Sequence, residues 1–445
     1  MNINHINIGQ RKFLLAQGFL VYLKKMLVMK RSLSKRTLEI PSFGTIDLNI
    51  ENSVRDYEDF FLMAVRKNNT KRNFLFVSQL LGKHIPILPN MLFDSCYKLA
   101  ADYAAENNLL KGEGGQFICK EKTLVIGFAE TATAMGHGVY DCFSGDCFYV
   151  HSTRDSISDY EFAFEFEEEH CHASEQLFFL QNESWIKEAK EIILVDDEVT
   201  TGKTIRNIIE QIEKRFPGKS YSVITFLDWR NNESLEAYEA FSDRNNISIE
   251  FYSLLKGNIE SISLIDNTIK EDAVIDPENY NPKSNGWKFH YCHIDSASLT
   301  SAGKGIDTTG RAEFISTIDI VVEKVSPQLT GEKRAIIGTG EFMYIPMQCA
   351  RRFPGVNYCN ATTRSPIIPY EHSGYGIRKA FHFICPNDPC RTEYLYNSNV
   401  LACDEVVLFL ENAVPLKALN SLLSELDSAN YSSKHVVFIK GSECD

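Results

Sequence analysis

The chain has 445 residues, of which 44% are hydrophobic and 24% charged, so it is long enough for two or three globular domains and is not intrinsically disordered. Its formal net charge of −13 argues against an extended nucleic-acid-binding surface, and no segment has the roughly 18 uncharged apolar residues of a membrane span. Twelve cysteines without a secretory signal indicate reduced thiols, and we therefore expect a cytoplasmic protein.

Residues 1–44 form a basic segment, in which the first 40 residues carry eight lysines and arginines against one glutamate. Such a start fits a membrane-surface helix or a targeting segment. We favour a poorly ordered extension translated from an upstream start codon, since Met26 and Met29 precede the more ordinary sequence. The first globular domain is expected to begin at residue 45.

The first predicted anion-binding loop follows Thr123–Gly127, an apolar segment with the composition of a buried strand. Residues 128–138 are mostly small or hydroxyl-bearing and lead into a predicted helix. Small residues allow backbone amides to approach an anion closely. A further strand, Cys147–Val150, ends near Arg154, which is placed either to meet an anion or to lie on the surface.

Residues 155–182 form a connection whose length is typical of a functional lid or a disordered segment. The connection is rich in glutamate and has no lysine or arginine, so His170 and His172 are its only sources of positive charge. This segment is either a simple solvated lid or has one of two functional roles. Either the histidines act on the substrate, or the acids bind a cationic substrate or additional Mg²⁺.

The first domain is organised around Glu191–Thr204, which reads as a buried strand, the two carboxylates Asp196 and Asp197, and a polar loop at Thr200–Thr204. A helix is predicted next from a single apolar face, formed by Ile205, Ile208, Ile209, Ile212 and Phe216. Ligands of open α/β sheets bind beyond the carboxyl ends of the strands, so a site is expected here.

The loop and the two carboxylates suit different ligand groups. Backbone N–H groups of Thr201–Thr204, at the start of a helix, would bind a phosphate. Asp196 and Asp197 suit hydroxyl donors, such as a ribose diol, or a hydrated Mg²⁺. A Walker A P-loop is excluded, because it requires a glycine five positions before Gly202 and the chain has Asp197 there.

The C-terminal part either repeats the layout of the first domain or shows only generic α/β repetition. Gly127 and Arg154 are 27 residues apart, and Gly338 and Arg364 are 26 apart. The predicted strand Glu405–Leu410 corresponds to the strand before the carboxylates, but neither an Asp-Asp pair nor a Thr-Thr-Gly loop follows it.

Two motifs carry a resemblance to known proteins. Glu191–Thr204 resembles the phosphoribosyl-pyrophosphate (PRPP) signature of type I phosphoribosyltransferases, with an apolar strand, Asp-Asp, a spacer and Thr-Thr-Gly-x-Thr. Thr363–Pro366 resembles the TRSP domain, which follows a phosphoribosyltransferase domain in a bacterial family encoded in tellurite-resistance and stress gene clusters. Leu81–Pro86 and Glu168–Ala173 are similar to that family as well, and the resemblance covers roughly residues 45 to 440.

The resemblance implies a type I phosphoribosyltransferase fold, an α/β fold with a parallel sheet flanked by helices, followed by a second, degenerate phosphoribosyltransferase-like α/β domain. The implied domains are the basic extension at 1–44, the phosphoribosyltransferase domain at 45–270, a linker or crossing arm with a helix at 271–330, and the TRSP domain at 331–445.

The resemblance also implies roles for individual residues. The 5′-phosphate of PRPP would be held by Thr200, Thr201, Gly202, Lys203 and Thr204. Asp196 and Asp197 would hold the ribose hydroxyls and Mg²⁺. The pyrophosphate and Mg²⁺ would lie by Ala129, Glu130 and Thr131, with Arg154 close to them. The lid of the resembled enzymes usually brings basic residues to the pyrophosphate; this one departs from the pattern and leaves His170 and His172 as its candidate catalytic residues.

The implied substrates are PRPP, with Mg²⁺, and an unidentified base or similar acceptor, and PRPP is expected to bind once per chain. The product would be a nucleoside-like metabolite linked to stress or tellurite resistance. A homodimer and complexes with proteins of the same gene cluster stay open; no nucleic acid or membrane partner is expected. The alternative is a non-catalytic PRPP sensor. A C-terminal interaction module is compatible with both and predicts that residues 331–445 can be removed without loss of PRPP binding.

Overall fold

The computed structural model describes residues 34–69, 72–154, 162–167, 175–179, 183–265, 274, 277, 279–294, 306 and 308–442. Among these residues, no helix is long and apolar enough to cross a membrane.

The helices and strands of the N-terminal part are β1 (Ser34–Ile40), β2 (Gly44–Ser53), β3 (Phe61–Val65), β4 (Phe74–Ser78), α1 (Pro89–Glu106), β5 (Leu110–Lys111), β6 (Phe117–Ile118), β7 (Thr123–Gly127), α2 (Thr133–Tyr140), β8 (Phe143–Ser144), β9 (Cys147–His151), β10 (Phe162–Glu167), β11 (Glu175–Phe179), α3 (Ser184–Glu188), β12 (Glu191–Val199), α4 (Lys203–Arg215), β13 (Ser220–Asp228), α5 (Asn232–Asn245) and β14 (Ile249–Leu264). Those of the C-terminal part are β15 (Trp287–Tyr291), α6 (Thr308–Val325), β16 (Lys333–Gly338), α7 (Tyr344–Ala350), β17 (Val356–Ala361), β18 (Ala380–Cys385), β19 (Asp388–Tyr396), β20 (Glu405–Asn412), α8 (Asn420–Asp427) and β21 (Ser433–Lys440).

The first sheet has its strands in the order β1-β2-β14-β13-β12-β7-β9. Neighbouring strands from β14 to β9 run parallel, whereas β2 pairs antiparallel with β14 and β1 pairs antiparallel with β2. The α/β fold expected from the sequence, with a parallel sheet flanked by helices, is therefore present. Because β1 begins at Ser34, the domain boundary expected at residue 45 falls inside the first hairpin of this sheet.

Strand β12 is buried on both faces, because its alternate residues point to opposite sides of the sheet. Ile193 and Val195 belong to a core cluster with α1 and α2. Ile192 and Leu194 belong to a second cluster on the other face. The helix predicted after this strand is α4, and its apolar face packs into the second cluster through Ile205, Ile208, Ile209 and Ile212. Both faces of the central strand are thus held, and its carboxyl end is fixed in place.

The second sheet has the order β15-β21-β20-β16-β17, and all its neighbouring strands are parallel. Its edge strand β15 comes from residues 271–330, which we expected to form a linker or crossing arm with a helix. The predicted helix is present as α6. The strand was missed because its residues, Trp287 to Tyr291, follow a stretch rich in proline, asparagine and serine, and only the pairing with β21 fixes them as extended.

The second sheet repeats the topology of the first. Strands β17-β16-β20-β21 have the same order as β9-β7-β12-β13, and each set occurs in the same order along the chain. A two-stranded hairpin lies between corresponding strands in both, β10-β11 in the first domain and β18-β19 in the second. The edge position of β14 is taken by β15, although β15 precedes the other strands in sequence. The second domain is therefore a phosphoribosyltransferase-like α/β domain.

The two domains share a core. One hydrophobic cluster contains Val125 and Ile193 of the first sheet together with Ile336, Val407 and Phe409 of the second. The corresponding helices α2 and α7 face each other, and the rings of His137 and Tyr344 stack with centroids 4.4 Å apart. Deletion of residues 331–445, which the interaction-module hypothesis expects to be tolerated, would expose this shared core to water. Removal of the C-terminal part stays an untested prediction, and the shared core leads us to expect that the fold does not tolerate it.

Candidate functional site

A cleft lies at the carboxyl ends of β7, β9 and β12, where the loop after β17 and strand β19 approach from the C-terminal domain. Its cavity volume is about 410 Å³, within the range of small-molecule sites. Eight of the residues predicted to form a site line it together: Ala129, Glu130, Thr131, Arg154, Asp196, Asp197, Thr200 and Thr204. The two predicted loops, about 60 residues apart in the chain, thus lie together at the cleft, and their ligand-binding roles stay predictions.

The loop between β12 and α4 depends on a left-handed glycine. Gly202 has φ +68°, and a Cβ atom at this position would lie 2.5 Å from the hydroxyl oxygen of Tyr238. That hydroxyl donates a hydrogen bond to the Gly202 carbonyl oxygen at 2.5 Å. The Lys203 amide donates to the Thr201 hydroxyl at 3.3 Å, and both residues are exposed at the start of the helix. The five predicted phosphate-binding residues therefore form one short turn at a helix N-terminus, a place that favours anions.

The two predicted carboxylates, Asp196 and Asp197, are adjacent near the end of β12. The Asp197 amide donates to Oδ1 of Asp196 at 3.0 Å, and the Thr131 hydroxyl donates to Oδ1 of Asp197 at 2.7 Å. Burial raises the pKa of Asp197, against the hydrogen bond from Thr131. A cation beside this carboxylate would favour its charged form. The hydrogen bond also joins the two predicted loops, since Thr131 follows β7 and Asp197 belongs to β12.

The donor set fits magnesium only in part. Asp196, Asp197 and Thr131 supply oxygen atoms, which Mg²⁺ prefers. Within the described residues, however, no group of three or more His, Cys, Asp or Glu side chains is placed to hold a metal ion. Mg²⁺ usually keeps several waters and binds through one or two carboxylates plus substrate phosphates. The residues present therefore fit an ion that arrives with a phosphate ligand rather than a resident metal.

Glu130 lies in a buried ion-pair cluster. Lys83 Nζ is 2.8 Å from Glu130 Oε1 and donates to the carbonyl oxygen of Gly340 at 2.6 Å, and neither charged side chain is more than 5% exposed. Arg154 Nη1 is 3.7 Å from Glu130 Oε2. Burial would raise the pKa of Glu130, but the charges of Lys83 and Arg154 bring it down to about 2. Glu130 is thus a fixed anion that orients two cations at the edge of the cleft.

The loop after β7 is held by its neighbours as well. The Ala129 amide donates to the Ser152 hydroxyl at 2.8 Å, and the peptide bond between Ala129 and Glu130 is cis. The Thr133 hydroxyl, where the loop enters α2, donates to the carbonyl oxygen of Glu341 in the corresponding loop of the C-terminal domain at 3.0 Å, and the Arg154 amide donates to Oε1 of Glu341 at 2.9 Å. The predicted loop is therefore positioned from two sides, by β9 and by the second domain. His170 and His172 lie outside the described residues.

Sequence reasoning missed the cations of the β3–β4 hairpin. Arg72 forms an ion pair with Glu198, the residue after the two predicted carboxylates, and its guanidinium lies 4.6 Å from the ring centre of Phe74. Arg66 lines the same part of the cleft. His84, also in the lining, is buried, and burial together with the charge of Lys83 lowers its pKa to about 3. Only the resemblance of Leu81–Pro86 pointed here, and it carried no role for an individual residue.

Sequence reasoning also missed the wall from the C-terminal domain. Thr363, Arg364 and Ser365 line the cleft, together with Arg391 of β19. Arg364 Nη1 donates to the carbonyl oxygen of Arg154 at 3.4 Å. The Thr-Arg-Ser-Pro string had identified a domain, but no pattern in the sequence indicated that it reaches a site formed more than 150 residues earlier.

Family comparisons agree with this architecture. The family model described as phosphoribosyl transferase matches residues 60–258. The model described as the TRSP domain, C-terminal to that transferase, matches residues 301–426. No curated protein sequence matches the chain.

Solved structures that match part of the chain include several phosphoribosyltransferases. Adenine phosphoribosyl transferase from Trypanosoma brucei is 10% identical, with 44% of this chain and 76% of that chain covered and a TM-score of 0.30. Orotate phosphoribosyltransferase from Francisella tularensis is 12% identical, with coverages of 43% and 77% and a TM-score of 0.25. A hypoxanthine phosphoribosyltransferase from Staphylococcus aureus is 15% identical, with coverages of 34% and 69% and a TM-score of 0.21.

Proposed function

We propose that this chain, which belongs to the phosphoribosyl transferases that carry a C-terminal TRSP domain, transfers ribose 5-phosphate from PRPP to a nitrogen atom of a base or similar acceptor. One observation supports the proposal: Thr200 and Thr204, from the turn at the start of α4, line the same cleft as the carboxylates of β12. A phosphate next to hydroxyl donors is the chemistry of a ribose 5-phosphate.

The 5′-phosphate lies in the turn formed by Thr200, Thr201, Gly202, Lys203 and Thr204. Backbone amides at the helix N-terminus donate to the phosphate oxygens, and Gly202 allows the turn because its φ is +68°. The hydroxyls of Thr200 and Thr204, which line the cleft, add further donors. The phosphate thereby anchors the sugar at one end.

Asp196 and Asp197 accept hydrogen bonds from the ribose hydroxyls and would hold a Mg²⁺ ion that arrives with the substrate. A bound Mg²⁺ supplies positive charge to the pyrophosphate oxygens. Thr131 holds Asp197 in place through its 2.7 Å hydrogen bond. The sugar is thus fixed at both its phosphate and its diol, which orients C1 toward the acceptor.

In the reaction the acceptor nitrogen forms a bond to C1 while the bond from C1 to the pyrophosphate oxygen breaks. Pyrophosphate leaves with the electron pair, and the acceptor nitrogen loses its proton to solvent or to the leaving group. The protein stabilises the developing negative charge, chiefly through Arg154, with Ala129, Glu130 and Thr131 forming the adjoining loop. His170 and His172, which lie outside the described residues, stay the proposed catalytic residues of the segment 155–182.

We propose that the product is a nucleoside-like metabolite made in the cytoplasm, in the context of stress or tellurite-resistance gene clusters. This assignment rests on the resemblance of Thr363–Pro366 and its companion strings. A second candidate, a PRPP sensor without turnover, is favoured by one feature of the sequence, the absence of lysine and arginine from residues 155–182.

The transferase and the PRPP sensor differ in whether PRPP is converted to product. The full-length protein is incubated with PRPP, Mg²⁺ and a metabolite extract, pyrophosphate release is measured, and the products are identified by mass spectrometry. A transferase releases pyrophosphate and forms a product heavier than its acceptor by a phosphoribosyl group. Binding of PRPP without pyrophosphate release, with every extract fraction, would favour the sensor and contradict the transferase.

A further inference from the structure

The first-domain wall of the cleft is poorly suited by itself to a polyanion. It presents four carboxylates and three arginines: Glu130, Asp196, Asp197, Glu198, Arg66, Arg72 and Arg154. Two of those arginines already lie against carboxylates, Arg72 at Glu198 and Arg154 at 3.7 Å from Glu130. Lys83, which is buried 2.8 Å from Glu130, offsets that carboxylate, so the first domain has four cations for four carboxylates and no excess of positive charge here. A ligand with a phosphate and a pyrophosphate therefore needs positive charge from elsewhere, beyond that of a divalent cation.

Two arginines of the C-terminal domain face this wall. Arg364 is half-buried at the end of β17, and its charge reaches Glu130, where it helps to keep that carboxyl group ionised. Its Nη1 atom donates to the carbonyl oxygen of Arg154 at 3.4 Å, which brings the two guanidinium-bearing residues to one edge of the cleft. Arg391 lines the cleft from β19, with its side chain 22% exposed.

A hydrogen-bond network fixes both arginines. Arg391 Nη2 donates to Glu393 Oε1 at 3.1 Å, and the Thr362 hydroxyl donates to the other oxygen of Glu393 at 3.0 Å. The Gly340 amide donates in turn to the Thr362 hydroxyl at 2.8 Å. The loop that carries Arg364 is thereby tied to β19 and to the loop after β16. Such pre-organisation lowers the entropy that an arginine loses when it binds an anion.

The duplicated topology explains why these residues come from the second domain. Hairpins β10-β11 and β18-β19 are topological counterparts, and the chain around the first one, residues 155–182, has no lysine or arginine. The second hairpin brings Arg391 to the cleft instead. Likewise, Arg364 corresponds to Arg154 at the end of the matching strand, and the two meet at the domain boundary.

We infer that the C-terminal domain completes the substrate site of the first domain, with Arg364 binding the pyrophosphate group of PRPP and Arg391 supporting it from β19. The inference rests on the proposed function and adds a role for the TRSP domain within it. The two domains then act as an internal pair, in which only one member carries the sugar site and both supply cations to the leaving group.

The test is a calorimetric titration of the full-length protein, in Mg²⁺, with three probes: PRPP, pyrophosphate and ribose 5-phosphate. In Arg364→Gln we expect PRPP and pyrophosphate to bind about 10- to 100-fold more weakly, the range for a lost hydrogen bond to a charged group. Ribose 5-phosphate, which lacks the pyrophosphate, is expected to keep its affinity within about twofold. Arg364→Lys, which retains the charge, is expected to recover part of the loss.

Arg378→Gln is the matched control, because Arg378 belongs to the same domain but forms an exposed ion pair with Glu371. It should leave all three affinities unchanged. If Arg364→Gln lowers the melting temperature, Arg391→Gln gives an independent reading, with an expected loss of about fivefold for PRPP because Arg391 is already paired with Glu393.

The outcomes separate the two proposals. A wild-type protein that binds no PRPP would overturn the proposed function and this inference with it. A wild-type protein that binds PRPP, together with Arg364→Gln and Arg391→Gln variants of equal affinity, would overturn the inference alone. Equal weakening of PRPP and ribose 5-phosphate would also overturn it, because it would indicate a displaced domain rather than a lost pyrophosphate contact.

Discussion

Strands β12 and β20 hold corresponding positions in two sheets of the same strand order, but their carboxyl ends carry different chemistry. Val195 pairs with Gly127 in the first sheet, and Phe409 pairs with Gly338 in the second. If the two glycines are equivalent, Asp196 corresponds to Leu410 and Asp197 to Glu411. Leu410 is buried in the core, so one of the two carboxylate positions has become part of the hydrophobic packing.

The other position, Glu411, keeps a carboxylate, but this carboxylate forms an ion pair within the second sheet. Glu411 Oε1 accepts a bond from Lys440 Nζ of the neighbouring strand β21 at 2.9 Å, with both side chains less than a fifth exposed. No phosphate-type turn with a left-handed glycine follows β20, where the chain continues through Pro415. The comparison shows that topology persists while a site is lost, because the fold depends on strand pairing and apolar burial and the site depends on a few side chains.

Truncation after residue 330 removes the second sheet, and we expect it to have the largest effect on the stability of the fold. Because the two domains share one core, the remaining chain would expose Phe93 and His137, whose rings lie against Tyr344, and we expect it to aggregate or to lack a cooperative unfolding transition. Circular dichroism and thermal melting provide the measurement. Deletion of residues 1–33, which precede the first described strand, is the control and should leave the transition in place. A soluble, cooperatively folding fragment 1–330 would show that the domains are independent.

Gly202→Val is expected to abolish PRPP binding. Its Cβ would lie 2.5 Å from the Tyr238 hydroxyl oxygen, so the turn that holds the phosphate must move. Gly218→Val is the control, since Gly218 also has positive φ, +84°, but has no atom within 4 Å of its Cβ position. The control should lose about 1 kcal/mol of stability from backbone strain and keep its PRPP affinity. Equal affinities for the two variants in a titration would contradict the assignment of the turn.

Asp197→Asn and Glu411→Gln compare the corresponding carboxylates directly. Asp197→Asn should weaken PRPP binding in Mg²⁺ by roughly 100-fold or more, while the fold survives, because burial already disfavours the charge of Asp197. Glu411→Gln removes only the contact with Lys440 and should cost about 1 kcal/mol of stability without changing PRPP affinity. Calorimetric titration of both variants measures their PRPP affinity, and thermal melting measures their stability. A reversed pattern would place the site in the second domain.

His84 lies at the boundary between the domains, where its ring centre is 5.9 Å from that of Tyr396. We expect it to make the stability of the fold depend on pH, which is a smaller effect than those above. Its pKa is about 3 in the folded protein against an ordinary value of 6.5. Between pH 6.5 and pH 3 the unfolded chain binds a proton at His84 and the folded protein does not. Protonation of the unfolded chain therefore lowers the free energy of unfolding as the pH falls below 6.5, and it has no effect above that pH. At pH 5 the loss amounts to about 2 kcal/mol.

The measurement for His84 is the free energy of unfolding at pH 7.5 and pH 5.0. His84→Gln should lose about 2 kcal/mol less than the wild type between these two values, because it has no group to protonate at this position. Other buried histidines, such as His151, contribute to the pH dependence of both proteins equally, so the difference isolates His84. Parallel losses in the two proteins would show that His84 is already accessible to protons in the fold.

The sequence predicted the parts of the site that depend on local pattern. Thr123–Gly127 and the strand before Asp196 have the apolar runs of buried parallel strands, and the isoleucine spacing of α4 gave its buried face correctly. The parts that depend on distant pairing were not predictable. Strand β15 is extended only because β21 lies beside it, and Arg364 reaches the cleft only because the second sheet packs against the first.

We propose that each chain binds one PRPP, at the end of β12. Calorimetric titration of the full-length protein with PRPP in the presence of Mg²⁺ tests it most directly. We expect a single site per chain, and no measurable binding in Asp197→Asn at the same concentrations. Two sites per chain, an absence of binding to the wild type, or undiminished binding to a folded Asp197→Asn variant would contradict a single PRPP site at the end of β12.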